Sequence, residues 1–145
     1  MTFIKFKYFL IFIFTATVLT SCAGTGTTNL AAINFEVPTE DSAIFIVRKK
    51  KYFGSAALVK ILVDGREVGK LGVGEMERIA ISPGSHKINV KIGSILQAGI
   101  GGDASAFIAE KGKSYFFIAD MEQGLFSGKW SITPTTKSGF QQVLN

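Results

Sequence analysis

The chain contains only one cysteine and one histidine among its 145 residues. Because Cys22 has no second cysteine to pair with, no internal disulfide can form, and the fold depends on its hydrophobic core. Cys22 and His86 also provide too few ligands for a zinc site. The acidic residues are scattered and form no Asp-x-Asp-x-Asp calcium loop. These absences predict a protein without a metal or another cofactor.

The excess of positive over negative charge is also small. The chain has 16 basic and 11 acidic residues, and two of the basic ones, Lys5 and Lys7, lie in the N-terminal leader. The remaining excess of three positive charges is well below the dense basic surface of a nucleic-acid binder. We therefore expect no nucleic-acid partner, whereas contact with anionic envelope polymers or lipid head groups stays compatible with the composition.

The first 21 residues have the organisation of a secretory signal peptide. Lys5 and Lys7 precede a mostly apolar run over residues 8–19. As a helix this run would be about 18 Å long, against about 30 Å of bilayer hydrocarbon, so it does not favour a transmembrane anchor. A buried core helix conflicts with apolar residues on every face. Residues 1–21 are therefore predicted to be a signal peptide.

Directly after the apolar run stand Leu19, Thr20, Ser21 and Cys22, which resemble the lipobox of bacterial lipoproteins. The resemblance implies that residues 1–21 are removed and that Cys22 carries a diacylglycerol, whose chains bind the membrane at about 0.8 kcal/mol per methylene. Ser21 and Ala23 also fit ordinary signal cleavage after Ala23, which would remove Cys22. We favour lipidation, and the second cleavage remains the alternative.

The same resemblance predicts a location in the bacterial cell envelope. Some lipoproteins are held at the inner membrane by an Asp after the lipidated cysteine, whereas this chain has Ala23. The outer membrane is therefore expected in an organism with two membranes, and the outer face of the cell membrane otherwise.

Residues 22–41 are predicted to be a lipid-anchored flexible tether. They are rich in Gly, Thr and Ala at first and reach Pro38 without a sustained period. A flexible chain of this length spans roughly 25 Å. We expect its last part to dock on the folded domain.

Residues 42–145 have the pattern of an all-β domain, for which we expect a single antiparallel β-sandwich of about seven strands. No helical period extends over ten residues, and the tail from Ser138 fits a short helix or an edge strand. Asp64-Gly65 between two apolar segments is a hairpin signal. The β-favouring segments are residues 43–49, 57–63, 66–71, 75–82, 86–92, 105–110, 114–121 and 129–133.

This series of segments resembles a family of small bacterial lipoproteins that carry a domain of unknown function, similar in outline to PEGA-type and transthyretin-like β-sandwiches. The resemblance implies a fold but no reaction, cofactor or catalytic residue. Its best local marks are Val63-Asp64-Gly65 with Val68-Gly69, Pro83-Gly84 with His86, and Gly112 with Tyr115.

His86 is the strongest candidate for a catalytic side chain. A general base needs a nucleophile or an acid held beside it, and the neighbours Ser82 and Ser85 are close only in sequence. The alternation of the strand places His86 on the face of Ile88. We therefore expect a structural residue at the rim of the core.

The glycine-rich residues 93–103 invite comparison with a phosphate-binding loop. Such a loop opens a helix, whereas a β-favouring segment follows here, so phosphate binding is not indicated. Ile95, Leu96 and Ile100 either cap the core or, if exposed, form an apolar patch for a partner or a bilayer.

Arg48, Lys49, Lys50 and Lys51 form the densest run of charge in the chain. The run fits a solvated strand end that prevents edge pairing. The alternative is docking to anionic lipid or polysaccharide.

These patterns predict a lipoprotein that is not an enzyme and that presents its β-sandwich to a partner protein or an envelope polymer. One alternative is a structural or assembly accessory of an envelope complex. Another is a secreted enzyme with a site near His86.

Overall fold

The computed structural model describes residues 24–51, 57–92, 102–123 and 128–144. They form two four-stranded sheets packed face to face, so the predicted all-β sandwich is confirmed, with eight strands where about seven were expected. Sheet A has the order β4-β1-β7-β8, and sheet B has the order β3-β2-β5-β6. The strands are β1 (Ser42–Arg48), β2 (Val59–Val63), β3 (Arg66–Leu71), β4 (Met76–Ile81), β5 (Gly84–Ile92), β6 (Ser105–Ala109), β7 (Ser114–Gln123) and β8 (Gly128–Thr135).

Two short helices accompany the sheets. A 3-10 helix (Leu30–Ala32) precedes β1, and α1 (Lys137–Gln142) follows β8. The tail from Ser138 therefore lies in a helix and its C-terminal turn rather than in an edge strand. The side chain of Thr136 caps α1 by accepting a hydrogen bond from the Gly139 N–H at 3.1 Å.

One strand pair differs from the predicted antiparallel arrangement. β1 and β7 run parallel, with Ala43 opposite Ser114 and Val47 opposite Ile118. Parallel neighbours need a long connection. Here the connection contains β2 to β6, because the chain crosses to sheet B and back before β7 joins β1.

The hairpin between β2 and β3 has the predicted turn. Asp64 and Gly65 both have positive φ, at 51° and 80°. Two successive positive φ values are the signature of a type I′ turn, which suits the twist of the two strands. The Asp-Gly signal is therefore confirmed.

The main core lies between the sheets and follows the alternation of the strands. In β2 and in residues 88–92 of β5 every second side chain is buried, and the intervening side chains are exposed or half-buried. Trp130 and Ile132 of β8 enter the same core, as their shared face predicts. Its inward residues from β2 and β5 are Val59, Ile61, Val63, Ile88, Val90 and Ile92.

A second apolar cluster covers the outer face of sheet A. All seven residues of β1 are buried, because β1 lies between β4 and β7 and is covered on both faces. On the outer face, the ring of Phe45 lies 5.0 Å from that of Phe35 and 5.1 Å from that of Phe116. Phe140 of α1 closes this cluster, with its ring 5.6 Å from that of Phe116.

The segment before β1 is docked rather than a free tether over residues 24–41, which corrects the flexible-tether prediction there. Thr27 and Met76 exchange two backbone hydrogen bonds of 2.8 Å, and the Thr25 N–H donates to the Lys70 carbonyl at 2.8 Å. Further along, Leu30, Ile33, Phe35 and Val37 pack on the second cluster. Their apolar side chains explain the docking, since β1 would otherwise expose an apolar face.

Gly26 shows how closely this segment approaches the sandwich. A side-chain Cβ at this position would lie 2.7 Å from Leu71 Cδ2 and 2.8 Å from the Met76 carbonyl oxygen. Neither distance is compatible with van der Waals contact. A glycine is therefore required where the segment passes the edge formed by β3 and β4.

We predict that Phe35→Ala destabilises the protein by about 3 kcal/mol, because it opens a cavity over Phe45 and Phe116. Urea unfolding followed by tryptophan fluorescence measures the loss. Ile108→Ala is the control, since Ile108 is 72% exposed and its truncation should change stability by no more than about 0.5 kcal/mol. Equal losses in the two variants would contradict the covering role of Phe35.

Candidate functional site

His86 joins two turns at one end of the sandwich. Its Nδ1 lies 2.7 Å from Asp64 Oδ2, and its Nε2 lies 2.8 Å from the Ser82 carbonyl oxygen. Both partners only accept hydrogen bonds, so the ring satisfies both by donating from both nitrogens as an imidazolium. The other Asp64 oxygen accepts a hydrogen bond from the Lys87 N–H at 2.8 Å. His86 therefore acts as a clamp between the β2–β3 turn and the residues joining β4 to β5.

The clamp shifts the pKa values of both partners. The hydrogen bond to Asp64 is the largest cause that raises the pKa of His86 above its ordinary 6.5. The hydrogen bond from His86 is likewise the largest cause that lowers the pKa of Asp64 below its ordinary 3.8. With both ring nitrogens engaged, His86 has no lone pair available for a proton from a substrate. This geometry is that of a structural histidine, and its ring also lies 6.0 Å from that of Phe107.

We predict that His86→Gln destabilises the protein most between about pH 4 and pH 6.5. The His86 contribution is complete below the unfolded pKa and is lost as pH rises through the raised folded pKa. The Asp64 contribution is complete above its unfolded pKa and is lost as pH falls through its lowered folded pKa. Thermal unfolding of wild type and variant at about pH 5 and about pH 9 measures the difference. A difference that is the same at both pH values would contradict the ionic clamp, and Lys113→Gln is the control.

The predicted basic run does not form one exposed surface. Arg48 is only 2% exposed, so this side chain is not available to an anionic lipid or polysaccharide, which corrects its assignment. Its Nη1 donates to the carbonyl oxygens of Ala57 and Leu71, the latter at 3.1 Å, and its guanidinium lies 5.0 Å from the ring centroid of Trp130. Arg48 thus ties the end of β1 to sheet B, and burial lowers its pKa.

The three lysines after Arg48 have different surroundings. Lys49 and Lys51 form ion pairs with Asp120 at 2.9 Å and 2.6 Å, and Lys50 Nζ lies 3.5 Å from the Leu144 carbonyl oxygen. Burial by itself would raise the pKa of Asp120, but the hydrogen bonds from Lys51 and Lys49 outweigh it and lower the pKa. Two of the three cations are therefore already partnered within the domain.

We predict that Arg48→Met destabilises the protein by about 1–3 kcal/mol, since it leaves the Ala57 and Leu71 carbonyl groups without their donor. Urea unfolding measures the loss. Lys49→Met is the matched control, because Lys49 is a half-exposed partner of Asp120 and contributes less than about 1 kcal/mol. A loss from Arg48→Met no larger than that of the control would contradict the role of Arg48.

The positive charge of the domain is concentrated in sheet B. Its four strands contain five Lys or Arg residues and one acidic residue, Glu67. The four strands of sheet A contain three basic and three acidic residues. The sandwich is therefore electrostatically two-sided, which the modest net charge of the chain does not indicate.

Three of the lysines of sheet B lie side by side in what we call the lysine row: Lys70, Lys60 and Lys91. Lys60 is directly opposite Lys70 on one side and Lys91 on the other. All three alternate with buried core residues, so their ammonium groups lie on the outer face. Glu67 pairs with Lys60 at 2.7 Å and with Lys70 at 3.4 Å, and the hydrogen bond from Lys60 is the largest cause that lowers the pKa of Glu67. Within the described chain Lys91 makes no ion pair.

The lysine row was not predicted from the sequence. The alternation places Lys87 and Lys91 on the wet face of β5, but the row exists because of the register between three strands. Like charges directly opposite each other on a sheet destabilise it. Glu67 offsets this repulsion for Lys60 and Lys70, whereas Lys91 has no acidic partner among the described residues.

A further candidate surface lies along β6, which pairs only with β5 among the described strands. Ile108 on β6 is 72% exposed. On its other side, β6 faces a groove of about 220 Å³ whose lining includes Phe107, Tyr115 and Pro134. A strand edge of this kind beside a groove with aromatic and hydroxyl side chains in its lining is suited to an extended peptide.

Several predicted features fall outside the described residues: Leu19, Thr20, Ser21 and Cys22 of the lipobox-like motif, and residues 93–101 of the glycine-rich loop. Among the residues that are described, no three His, Cys, Asp or Glu side chains come together as a metal site. In the same part of the chain no helix has the length and apolarity required to cross a bilayer.

No family model matches this chain, and no curated protein matches it at a significant level. The resemblance to PEGA-type and transthyretin-like domains thus stays a prediction.

Proposed function

We propose that this protein is a cell-envelope lipoprotein, anchored through lipid on Cys22, whose β-sandwich binds a partner protein or an envelope polymer without catalysis. The observation that carries the proposal is the lipobox-like Leu19-Thr20-Ser21-Cys22 directly after a short apolar leader. Further support comes from the contacts of the segment that follows this motif, from His86 and from the edge of β6.

The contacts of Thr25 with β3 and of Thr27 with β4 lie C-terminal to both candidate cleavage sites. Cleavage before Cys22 would therefore leave these contacts in place. Cleavage after Ala23, the alternative, would also leave the contacts of Thr25 and Thr27 in place, so the two products differ in the anchor and not in the fold.

The environment of His86 supports a non-catalytic role. A general base near neutral pH needs a free nitrogen, and both ring nitrogens of His86 are engaged by Asp64 and Ser82. The raised pKa of His86 and the lowered pKa of Asp64 both favour the charged form of the side chain, as suits an ion pair that joins two turns.

The β6 edge supports a binding function. The edge of β6, which pairs with no strand but β5 among those described, could add a further strand to sheet B, and the groove lined by Phe107 and Tyr115 could take a side chain of the same peptide. The exposed Ile108 lies on this edge. A stable accessory of an envelope complex would use the same edge, and the two roles differ in whether the partner co-purifies in fixed stoichiometry.

We predict that Cys22→Ala moves the protein from the detergent phase to the aqueous phase on detergent partitioning, because acyl chains are then no longer attached. Ser21→Ala is the matched control, since it keeps a small residue in the lipobox-like motif and should stay in the detergent phase. Unchanged partitioning of Cys22→Ala would contradict the anchor. Mass spectrometry of the mature N-terminus distinguishes cleavage before Cys22 from cleavage after Ala23.

A further inference from the structure

The docked N-terminal segment leaves almost no free chain between Cys22 and the domain. Thr25 is held to β3 in both directions: its N–H donates to the Lys70 carbonyl at 2.8 Å, and its Oγ1 accepts from the Lys70 N–H at 2.7 Å. Cys22 lies three residues before Thr25, and an extended chain covers at most about 3.6 Å per residue. The chain geometry therefore keeps the Cα of Cys22 within about 11 Å of the Cα of Thr25, which is itself bonded to Lys70.

The residue that holds the segment belongs to the lysine row. Lys70 is at the edge of sheet B, and Lys60 and Lys91 follow it across the next two strands. Adjacent strands are about 4.8 Å apart, so the row extends roughly 10 Å from the point of attachment. The row also lies at the Arg48 end of the sandwich, because Arg48 donates to the carbonyl of Leu71, next to Lys70.

Two independent features thus lie side by side on the domain. One is the attachment of Thr25 to Lys70, from which the chain leads back to Cys22, and the other is the lysine row. Electrostatic attraction to an anionic membrane acts over about one Debye length, roughly 8 Å at physiological ionic strength. A flexible 25 Å tether would keep the row beyond that range for much of the time. The docked segment keeps it within reach.

We propose that Lys70, Lys60 and Lys91 lie against anionic phospholipid head groups of the membrane in which Cys22 is anchored, so that the domain has a fixed orientation on the bilayer. This inference rests on the proposed lipidation of Cys22. It accounts for Lys91, which lies opposite Lys60 and makes no ion pair within the described chain, since head-group phosphates relieve the repulsion between these two lysines. The His86 clamp and the β6–β7 turn lie at the other end of the strands from the row.

The test uses the full-length lipidated protein reconstituted into vesicles. A membrane-impermeant amine reagent labels lysines, and mass spectrometry gives the rate at each position. In vesicles that contain phosphatidylglycerol we expect slower labelling of Lys60, Lys70 and Lys91 than in pure phosphatidylcholine, and high salt should restore the rate. Lys111 and Lys113 in the β6–β7 turn are internal controls whose rates should not change. Equal rates for the row in both kinds of vesicle would overturn the inference.

Variants that remove positive charge and a variant that removes negative charge have opposite expected effects on docking. Each lysine near an anionic surface contributes about fivefold to the docking equilibrium. Lys60→Gln with Lys91→Gln should therefore weaken docking about 25-fold and return Lys70 to its rate in phosphatidylcholine. Glu67→Gln removes the single acidic side chain in the strands of sheet B and should strengthen the protection. Lys111→Gln with Lys113→Gln is the matched control, and the same result from this pair and the row variant would overturn the inference.

The two proposals fail in distinguishable ways. Absence of lipid on Cys22, seen by mass spectrometry of the mature protein, contradicts the proposed function and the inference together. Lipid on Cys22 with unprotected lysines contradicts the inference alone. Protection of the row by a soluble polyuronic acid but not by phosphatidylglycerol vesicles would also overturn it, because it assigns the row to a polymer.

Discussion

The burial of β1 on both of its faces is the constraint on which the rest of the molecule depends. Its inner side chains meet sheet B, and its outer side chains Ala43, Phe45 and Val47 need a cover of their own. The segment before β1 and helix α1 provide that cover through Phe35 and Phe140. The domain therefore has three layers, and both ends of the described chain belong to the outermost one.

This cover links the fold to the candidate function. Because Leu30, Ile33, Phe35 and Val37 cover the outer face of sheet A, the segment that contains them cannot also serve as a long tether. The same segment crosses the β3–β4 edge at Gly26 and is bound to Lys70 through Thr25. Packing of the apolar side chains thus determines where the chain that leads to Cys22 leaves the domain, and which charged face lies next to it.

Local patterns in the sequence predicted the features that depend on residues close together in the chain. Alternation identified the strands, and Asp64-Gly65 identified the hairpin. The features that were missed depend on pairing between distant segments. The parallel β1–β7 pair joins residues about 70 positions apart, the lysine row requires the register of three strands, and Arg48 is buried because Trp130 and two carbonyl groups meet it.

The order of strands in sheet A also has a consequence for how the chain folds as it is made. β1 emerges first, yet its neighbours β4 and β7 and its covering residue Phe140 emerge later, the last near the C-terminus. β4 can pair with one side of β1 early, but the other side has no partner until β7 is made, and pairing over such separations is slow. A strand edge left open in this way is a site of aggregation during synthesis.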